Sequence, residues 1–307
     1  MNSINQCFHK VKQDYFRFLS REKIYKKSML QNTKNLKNIY IPIAFWINNK
    51  FIKKNKTLLL GLSAGQGSGK TTVSSILKII LKNFFKRKVC IISIDDFYKT
   101  LGERNKMAKQ NHPLFKTRGV PGTHDINLVK NFFISVKKKK FKNMSLPKFN
   151  KATDDRYKKK YWNKINEKPE IILLEGWCVG AKPESSISLK NPINTLESKE
   201  DCNLVWRKFV NEKLKTEYKK VFSMIDHYIF MKIPNFKIVF EWRLLQEKKL
   251  RRKTYHKKKI MSHTDIKRFI MFYQRITLQM IKDLSKSANV VMFLKKNHEI
   301  KKVLFKT

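Results

Sequence analysis

Gly61-Leu-Ser-Ala-Gly-Gln-Gly-Ser-Gly-Lys70-Thr-Thr72 is the stretch from which the rest of this 307-residue chain can be read. It follows the apolar run Thr57-Leu-Leu-Leu60 and precedes Val73-Ser-Ser-Ile-Leu-Lys-Ile-Ile-Leu81, whose apolar residues recur at helical spacing. A buried strand, a glycine-rich turn and a helix start are the setting of a phosphate-binding loop. Glycines let backbone N–H groups close around phosphate oxygens, and the helix N-terminus adds partial positive charge. Gly65, Gln66, Gly67, Ser68, Gly69, Lys70, Thr71 and Thr72 are therefore the expected nucleotide contacts. Lys70 is expected on the β- and γ-phosphates of ATP, and the Thr71 hydroxyl on Mg²⁺. The pattern G-x-x-x-x-G-K-[ST] is broken at its first glycine, where Ala64 stands with Gly65 beside it. Alanine is small, so the loop should survive. An ordinary glycine turn is the bland alternative, and three alternating glycines ending in Gly-Lys-Thr-Thr weigh against it.

Outward from this loop, short continuous apolar runs alternate with helical patterns. Strands are expected at 58–63, 89–94, 171–174, 228–233 and 290–294, and helices at 71–85, 128–137, 204–217, 236–252 and 264–285. Such alternation predicts an α/β fold of the P-loop NTPase kind: a five-stranded, mainly parallel sheet with helices on both faces. Residues 1–55 carry Phe8, Val11, Tyr15, Phe18 and Leu19 at helical spacing and read as a helical N-terminal extension packed on a domain spanning 56–307. The lysine-rich region 99–169 and the Ser/Asn/Pro-rich stretch 182–201 read largely as exposed polar faces and loop.

The net charge of +46 comes from 57 lysines and 12 arginines against 23 acids. Nucleic acid or an anionic membrane is one explanation for such an excess. No zinc-finger spacing, RRM signature or basic zipper accompanies it, so solvated lysine faces are the preferred reading and a nucleic-acid partner is not expected. Four scattered cysteines, Cys7, Cys90, Cys178 and Cys202, indicate neither a zinc site nor a disulfide framework. The apolar run 39–47 is too short to span a membrane and contains Pro42. A cytoplasmic protein without a membrane partner is the expectation.

Several short segments could carry chemistry. Ser93-Ile-Asp-Asp-Phe-Tyr98 follows the second strand, which would put Asp95 or Asp96 beside the loop. A carboxylate there can take the proton of a hydroxyl that attacks the γ-phosphate. Leu173-Leu-Glu-Gly-Trp177 ends the third strand in an acid, Glu175, suited to Mg²⁺ directly or through water. Thr117-Arg-Gly-Val-Pro-Gly-Thr-His-Asp125 would form a tight loop presenting Arg118, His124 and Asp125. Lys148, Lys151 and Arg156 lie in the polar stretch 146–156, where an arginine fork suits a carboxylate or phosphate. Arg243 and Glu247, at i and i+4 on a late helix, fit either a surface ion pair or a lid that closes over phosphates.

Taken together, GLSAGQGSGKTT, SIDDFYKT, RGVPGTHD, LPKFNKATDDR, LEGWCVG and EWRLLQEKKL resemble the phosphoribulokinase, uridine kinase and pantothenate kinase group, over about residues 57–294. Within that group the chain looks most like the plant- and fungal-type D-glycerate 3-kinases and their bacterial relatives. The resemblance implies Asp95 as general base, two places before the aromatic Phe97, with Asp96 at a more variable place. It implies Lys70 and Glu175 as the other catalytic groups, and Thr71, Asp95 and Glu175 as the metal-facing set. Asp96, Tyr98, Arg118, His124, Asp125 and Arg156 would shape the acceptor site, and Arg243 would belong to the lid over ATP. Asn150 stands where relatives often carry an acid. The implied activity is transfer of the γ-phosphate of MgATP to a hydroxyl of a small anionic acceptor, D-glycerate above all. Uridine, pantothenate, a sugar phosphate, or a non-enzymatic nucleotide-binding role with nucleic acid are the alternatives.

Overall fold

The computed structural model describes residues 3–24, 28–253 and 261–306, the side chains of 249–253 excepted. The strands in chain order are β1 (Leu58–Ala64), β2 (Val89–Ser93), β3 (Met144–Leu146), β4 (Phe149–Asn150), β5 (Asp155–Arg156), β6 (Asn163–Ile165), β7 (Ile171–Gly176), β8 (His227–Lys232), β9 (Val290–Leu294) and β10 (Ile300–Phe305). The helices are α1 (Ser3–Arg21), α2 (Met29–Asn35), α3 (Ile41–Lys54), α4 (Lys70–Asn83), α5 (Leu101–Gln110), α6 (Ile126–Lys137), α7 (Ser186–Lys190), α8 (Thr195–Glu200), α9 (Val205–Lys213), α10 (Lys219–Phe222), α11 (Lys237–Lys253) and α12 (His263–Ser287).

The main sheet runs β10-β9-β8-β1-β7-β2, so the strand that leads into the glycine loop has neighbours on both sides. The five strands expected from sequence are mutually parallel. The sheet nevertheless has six strands, because β10 folds back antiparallel on β9. Sequence does not announce β10: Lys301 and Lys302 interrupt its apolar pattern, and both are exposed on the edge.

Side chains alternate across the sheet as the two-residue period of a strand requires. Leu58, Leu60 and Leu62 enter one core with α1, α3 and α4, while Leu59, Ile172, Leu174 and Phe230 enter another with α6, α9 and α12. Helix α1 buries Phe8, Val11, Tyr15, Phe18 and Leu19, the face read from sequence, in the same core as β1. Asn83 Nδ2 of α4 donates to Asp14 Oδ2 of α1 at 2.6 Å. The apolar run 39–47 supplies the start of α3, with Pro42 in its first turn, where a missing N–H does no harm. Among the described residues no helix is long and apolar enough to cross a membrane.

The stretch 182–201, read as loop, instead contains α7 and α8, held by a buried charge network. Glu197 is fully buried and accepts from Arg275 Nε at 2.8 Å and Nη2 at 2.6 Å. Arg207, also buried, lies 3.5 Å from the same carboxylate and 3.4 Å from Asp201. Asp201 in turn accepts from the backbone N–H groups of Trp206 and Arg207, capping the start of α9.

Candidate active site

The glycine loop takes the form its sequence demands. Gly67 and Gly69 have φ of +75° and +88°, in the left-handed region that side chains resist. A Cβ on Gly67 would also lie 2.8 Å from Trp242 Cβ of α11, so the late helix sits against the loop. Ala64 does not disturb it, for a clear reason: it is the last residue of β1, buried, and its φ is not positive. Gly69 starts α4 with no side-chain cap, leaving the helix N-terminus to an anion. Lys70 Nζ donates to the carbonyls of Ala64 and Gly65, each at 3.3 Å. Burial lowers its pKa, an effect that the Asp95 and Glu175 carboxylates oppose. The ammonium, the two acids and the loop thus share one electrostatic neighbourhood, at the carboxyl ends of β1, β7 and β2.

Glu175, at the end of β7, is 4% exposed. Its oxygens accept from Thr71 Oγ1 at 2.9 Å and Ser74 Oγ at 2.8 Å. Among the described residues no three His, Cys, Asp or Glu side chains converge as a metal cage. Two acids and a hydroxyl beside a phosphate loop do fit Mg²⁺, which takes one or two carboxylates and completes its shell with phosphate oxygens and water. Thr71 would ligate such an ion, with Glu175 acting through Thr71 or a water.

Asp95 and Asp96 lie in the helical turn Ile94–Phe97 and part company. Asp95 accepts from Tyr98 Oη at 3.1 Å and from Lys151 Nζ at 3.0 Å. Burial would raise its pKa, but the ammonium groups of Lys151 and Lys70 hold it below the ordinary aspartate value. Asp96 accepts from the Phe149 N–H at 3.2 Å and lines a cavity of about 660 Å³ along β2, with Lys78, Lys82 and Leu146. Neither Lys70 nor Asp95 lines that cavity. Burial raises the Asp96 pKa. The structure therefore gives the two adjacent acids different surroundings, only one of them beside the loop lysine.

The expected acceptor residues form a wall around Asp95. Backbone bonds from Lys99 N to Thr123 O at 2.8 Å and from Asp125 N to Phe97 O at 2.7 Å tie the Gly-Val-Pro-Gly loop to the Asp95 segment. Tyr98 stacks on His124 with centroids 4.4 Å apart and planes 20° from parallel. The Arg156 guanidinium donates to Tyr98 O at 3.0 and 2.8 Å and lies 3.6 Å from Asp125, so it braces the wall rather than reaching past it. Arg118 pairs with Asp154 and lies over the Phe149 ring at 5.3 Å. On α11, Arg243 pairs with Glu247, the i, i+4 contact anticipated from sequence, and sits 5.0 Å from the Phe269 ring centroid.

Four contributors were not foreseen as site residues. Tyr218 bonds His124 from a helical turn 94 residues away. Tyr273 donates to Arg118 O at 3.2 Å. His298 reaches Gly67 O at 2.9 Å and stacks on Trp242 at 4.2 Å. Arg104, with no exposed surface, donates to Lys116 O at 2.7 Å and pairs with Asp154 at 3.1 Å, tying the acceptor wall to the β4–β5 hairpin. For Arg104 a signal existed: Thr100-Leu-Gly-Glu103 is a capping box that starts α5. For the other three, sequence offers none.

His124 is 1% exposed, and burial pushes its pKa down to about 4. A histidine held neutral when folded and protonated near pH 6.5 when unfolded stabilises the fold fully above pH 6.5. That stabilisation is lost as pH falls from 6.5 towards about 4. Urea unfolding at about pH 7.5 and about pH 5 should show His124→Gln losing roughly 2 kcal/mol less than wild type between the two. Equal losses would show that His124 titrates normally.

This geometry has close company among known proteins. Residues 59–185 match the model of the Phosphoribulokinase / Uridine kinase family. The "Uncharacterized kinase mug58" of Schizosaccharomyces pombe is 32% identical over 239 residues, 73% of this chain and 83% of that protein. The chain belongs to the phosphoribulokinase/uridine kinase family. Membership makes it an ATP-dependent phosphotransferase with an alcohol group as acceptor. The family chain is also 30% identical over 229 residues to "D-glycerate 3-kinase, chloroplastic" of Arabidopsis thaliana, a match covering 69% of this chain but 48% of that longer protein. Among solved structures, the D-glycerate 3-kinase of Cryptococcus neoformans superposes with a TM-score of 0.72 at 20% identity, covering 87% of this chain and 99% of the other. That likeness establishes a shared fold.

Proposed function

We propose that this kinase transfers the γ-phosphate of MgATP to the 3-hydroxyl of D-glycerate. The observation that carries the reading is the placement of Asp95, ionised at neutral pH and coupled to Lys70 of the phosphate loop. The 30% identity to a protein named D-glycerate 3-kinase points to the acceptor. In the proposed step the Asp95 carboxylate takes the proton from the acceptor hydroxyl. The freed oxygen bonds the γ-phosphorus, the bond to the β–γ bridging oxygen breaks, and ADP leaves. Lys70 and the loop N–H groups hold the phosphates, with Thr72 and Ser68 completing the loop. Mg²⁺, held by Thr71 and phosphate oxygens with Glu175 behind, would neutralise charge on the transferred group.

Arg118 is the guanidinium best suited to the acceptor carboxylate, because Arg156 is engaged by Tyr98 O and Asp125. The acceptor would then replace Asp154 as the partner of Arg118. A small anionic acceptor fits a site walled by Arg118, Lys151 and neutral His124. Working in the cytoplasm and without nucleic acid remains part of the proposal.

The test is ADP release from MgATP with glycerate, uridine, pantothenate or ribulose 5-phosphate, on full-length protein. D-glycerate alone is expected to raise release above background, with turnover on the order of 1–100 s⁻¹ and phosphate on the C3 oxygen by ³¹P NMR. Stimulation by another acceptor and not by D-glycerate would overturn the acceptor assignment. A salt-sensitive shift of labelled RNA with no phosphotransfer to any acceptor would overturn the kinase reaction itself.

A further inference from the structure

Resting on the kinase reading above, one contact defines how the acceptor pocket is poised. Tyr218 ends a π-helical turn, Leu214–Tyr218, inserted between α9 and α10. Such turns carry one extra residue per hydrogen-bonded ring and recur at functional sites. Here the turn delivers a fully buried phenol to the acceptor wall. Its oxygen accepts from the Gly122 N–H at 3.0 Å and lies 2.6 Å from His124 Nδ1.

We infer that Tyr218 is a positioning residue that fixes His124 as the Nε2–H tautomer, so that the pocket offers its substrate a neutral donor aimed at an oxygen lone pair. The phenol has one proton, and the other groups bonded to its oxygen, the backbone N–H groups of Gly122 and His124, are donors, which leaves His124 Nδ1 to take that proton. If that proton goes to His124 Nδ1, the oxygen still accepts from Gly122, and the Nε2–H is the single group of the pair left unmet among the described residues. In the other tautomer the phenol oxygen accepts only N–H groups, and both its own buried O–H and the Nε2 lone pair are left without a partner. One fewer buried polar group left unmade favours the first arrangement on the order of tenfold.

The second ring nitrogen supplies the independent observation. His124 Nε2 is buried and has no hydrogen-bond partner within the protein. Buried polar atoms are rarely left so, and a ligand atom is a common completion. The ring face lies on Tyr98, whose hydroxyl bonds Asp95, which sets the imidazole alongside the proposed base. The Tyr218 edge meets the ring at 69°, so the imidazole is held on two sides. A neutral N–H there recognises a carboxylate or hydroxyl oxygen and rejects a group that is itself a donor only. This is the chemistry of a small hydroxy acid. It does not require the acceptor to carry a base.

The experiment reads the tautomer directly, by two-bond ¹H–¹⁵N correlation of the histidine rings in the full chain, with His124 assigned by its loss in His124→Gln. Wild type is expected to show Nδ1 as the unprotonated, pyridine-type nitrogen and Nε2 as the protonated one. Tyr218→Phe is expected to give averaged shifts and an acceptor KM raised about three- to tenfold, with the KM for ATP within about twofold. In a His124→Gln background, whose amide can place a donor near the Nε2 position without Tyr218, adding Tyr218→Phe should change acceptor KM little further. A protonated Nδ1 in wild type overturns the inference, as does a variant with unchanged spectrum and kinetics. The wild-type spectrum needs no substrate and no variant. It therefore decides the tautomer even if the acceptor proves not to be D-glycerate or Tyr218→Phe fails to fold.

Discussion

Asp95→Asn is expected to lower kcat by roughly 10²–10⁴-fold, the range for loss of a general base, while the affinity for MgATP changes by less than about threefold. Asparagine keeps the size of the side chain and an oxygen for the Tyr98 hydroxyl, which lies 3.1 Å from Asp95 Oδ1. What it removes is the ionised carboxylate that Lys151 and Lys70 maintain. Two measurements separate the roles assigned to this residue: single-turnover phosphotransfer, and nucleotide binding with and without Mg²⁺. Unchanged turnover would end the base assignment. A loss confined to Mg²⁺-dependent binding would move Asp95 from base to metal-facing group. Asp96→Asn serves as the control, since Asp96 bonds the Phe149 N–H and faces the cavity along β2.

The largest loss of stability is expected far from the chemistry. Glu197→Ala would leave Arg275 and Arg207 without the carboxylate they share, with Arg207 and Glu197 both essentially buried. Breaking a buried ion network by removing one partner destabilises by about 3–5 kcal/mol, against a total of roughly 5–15 kcal/mol for an ordinary domain. Urea or thermal unfolding measures it directly. A loss below about 1 kcal/mol would show that water or side-chain rearrangement satisfies the arginines. The same network explains why 182–201 is ordered despite a composition that reads as loop. Its order comes from charges brought together across the chain, and no local pattern encodes that.

What sequence could and could not reveal follows the range of the interactions. The five parallel strands were legible because a doubly covered strand must be apolar throughout, as Ile171-Ile-Leu-Leu174 is. The phosphate loop was legible because its backbone needs glycine at Gly67 and Gly69. The exposed edge strand β10 was not, since four of its six residues face water, Lys301 and Lys302 among them, unlike a core strand. Within the site, Asp95, Lys70 and Glu175 could be named from strand ends and spacing. The different surroundings of Asp95 and Asp96 could not be named that way, because they depend on a hairpin some fifty residues later that supplies Lys151 and the Phe149 N–H. Tyr218 and His298 reach their partners across 94 and 231 residues, and only the fold joins them.

The two rims of the main sheet also give part of the lysine excess a physical reason. At one rim stands β10 with Lys301 and Lys302, and at the other β2 is bordered by Lys78, Lys82, Lys86, Arg87 and Lys88. A neighbouring molecule that tried to extend the sheet by docking its own strand would bring cations against cations at either end. The residues that make the charge so extreme thus guard the sheet against edge-to-edge pairing.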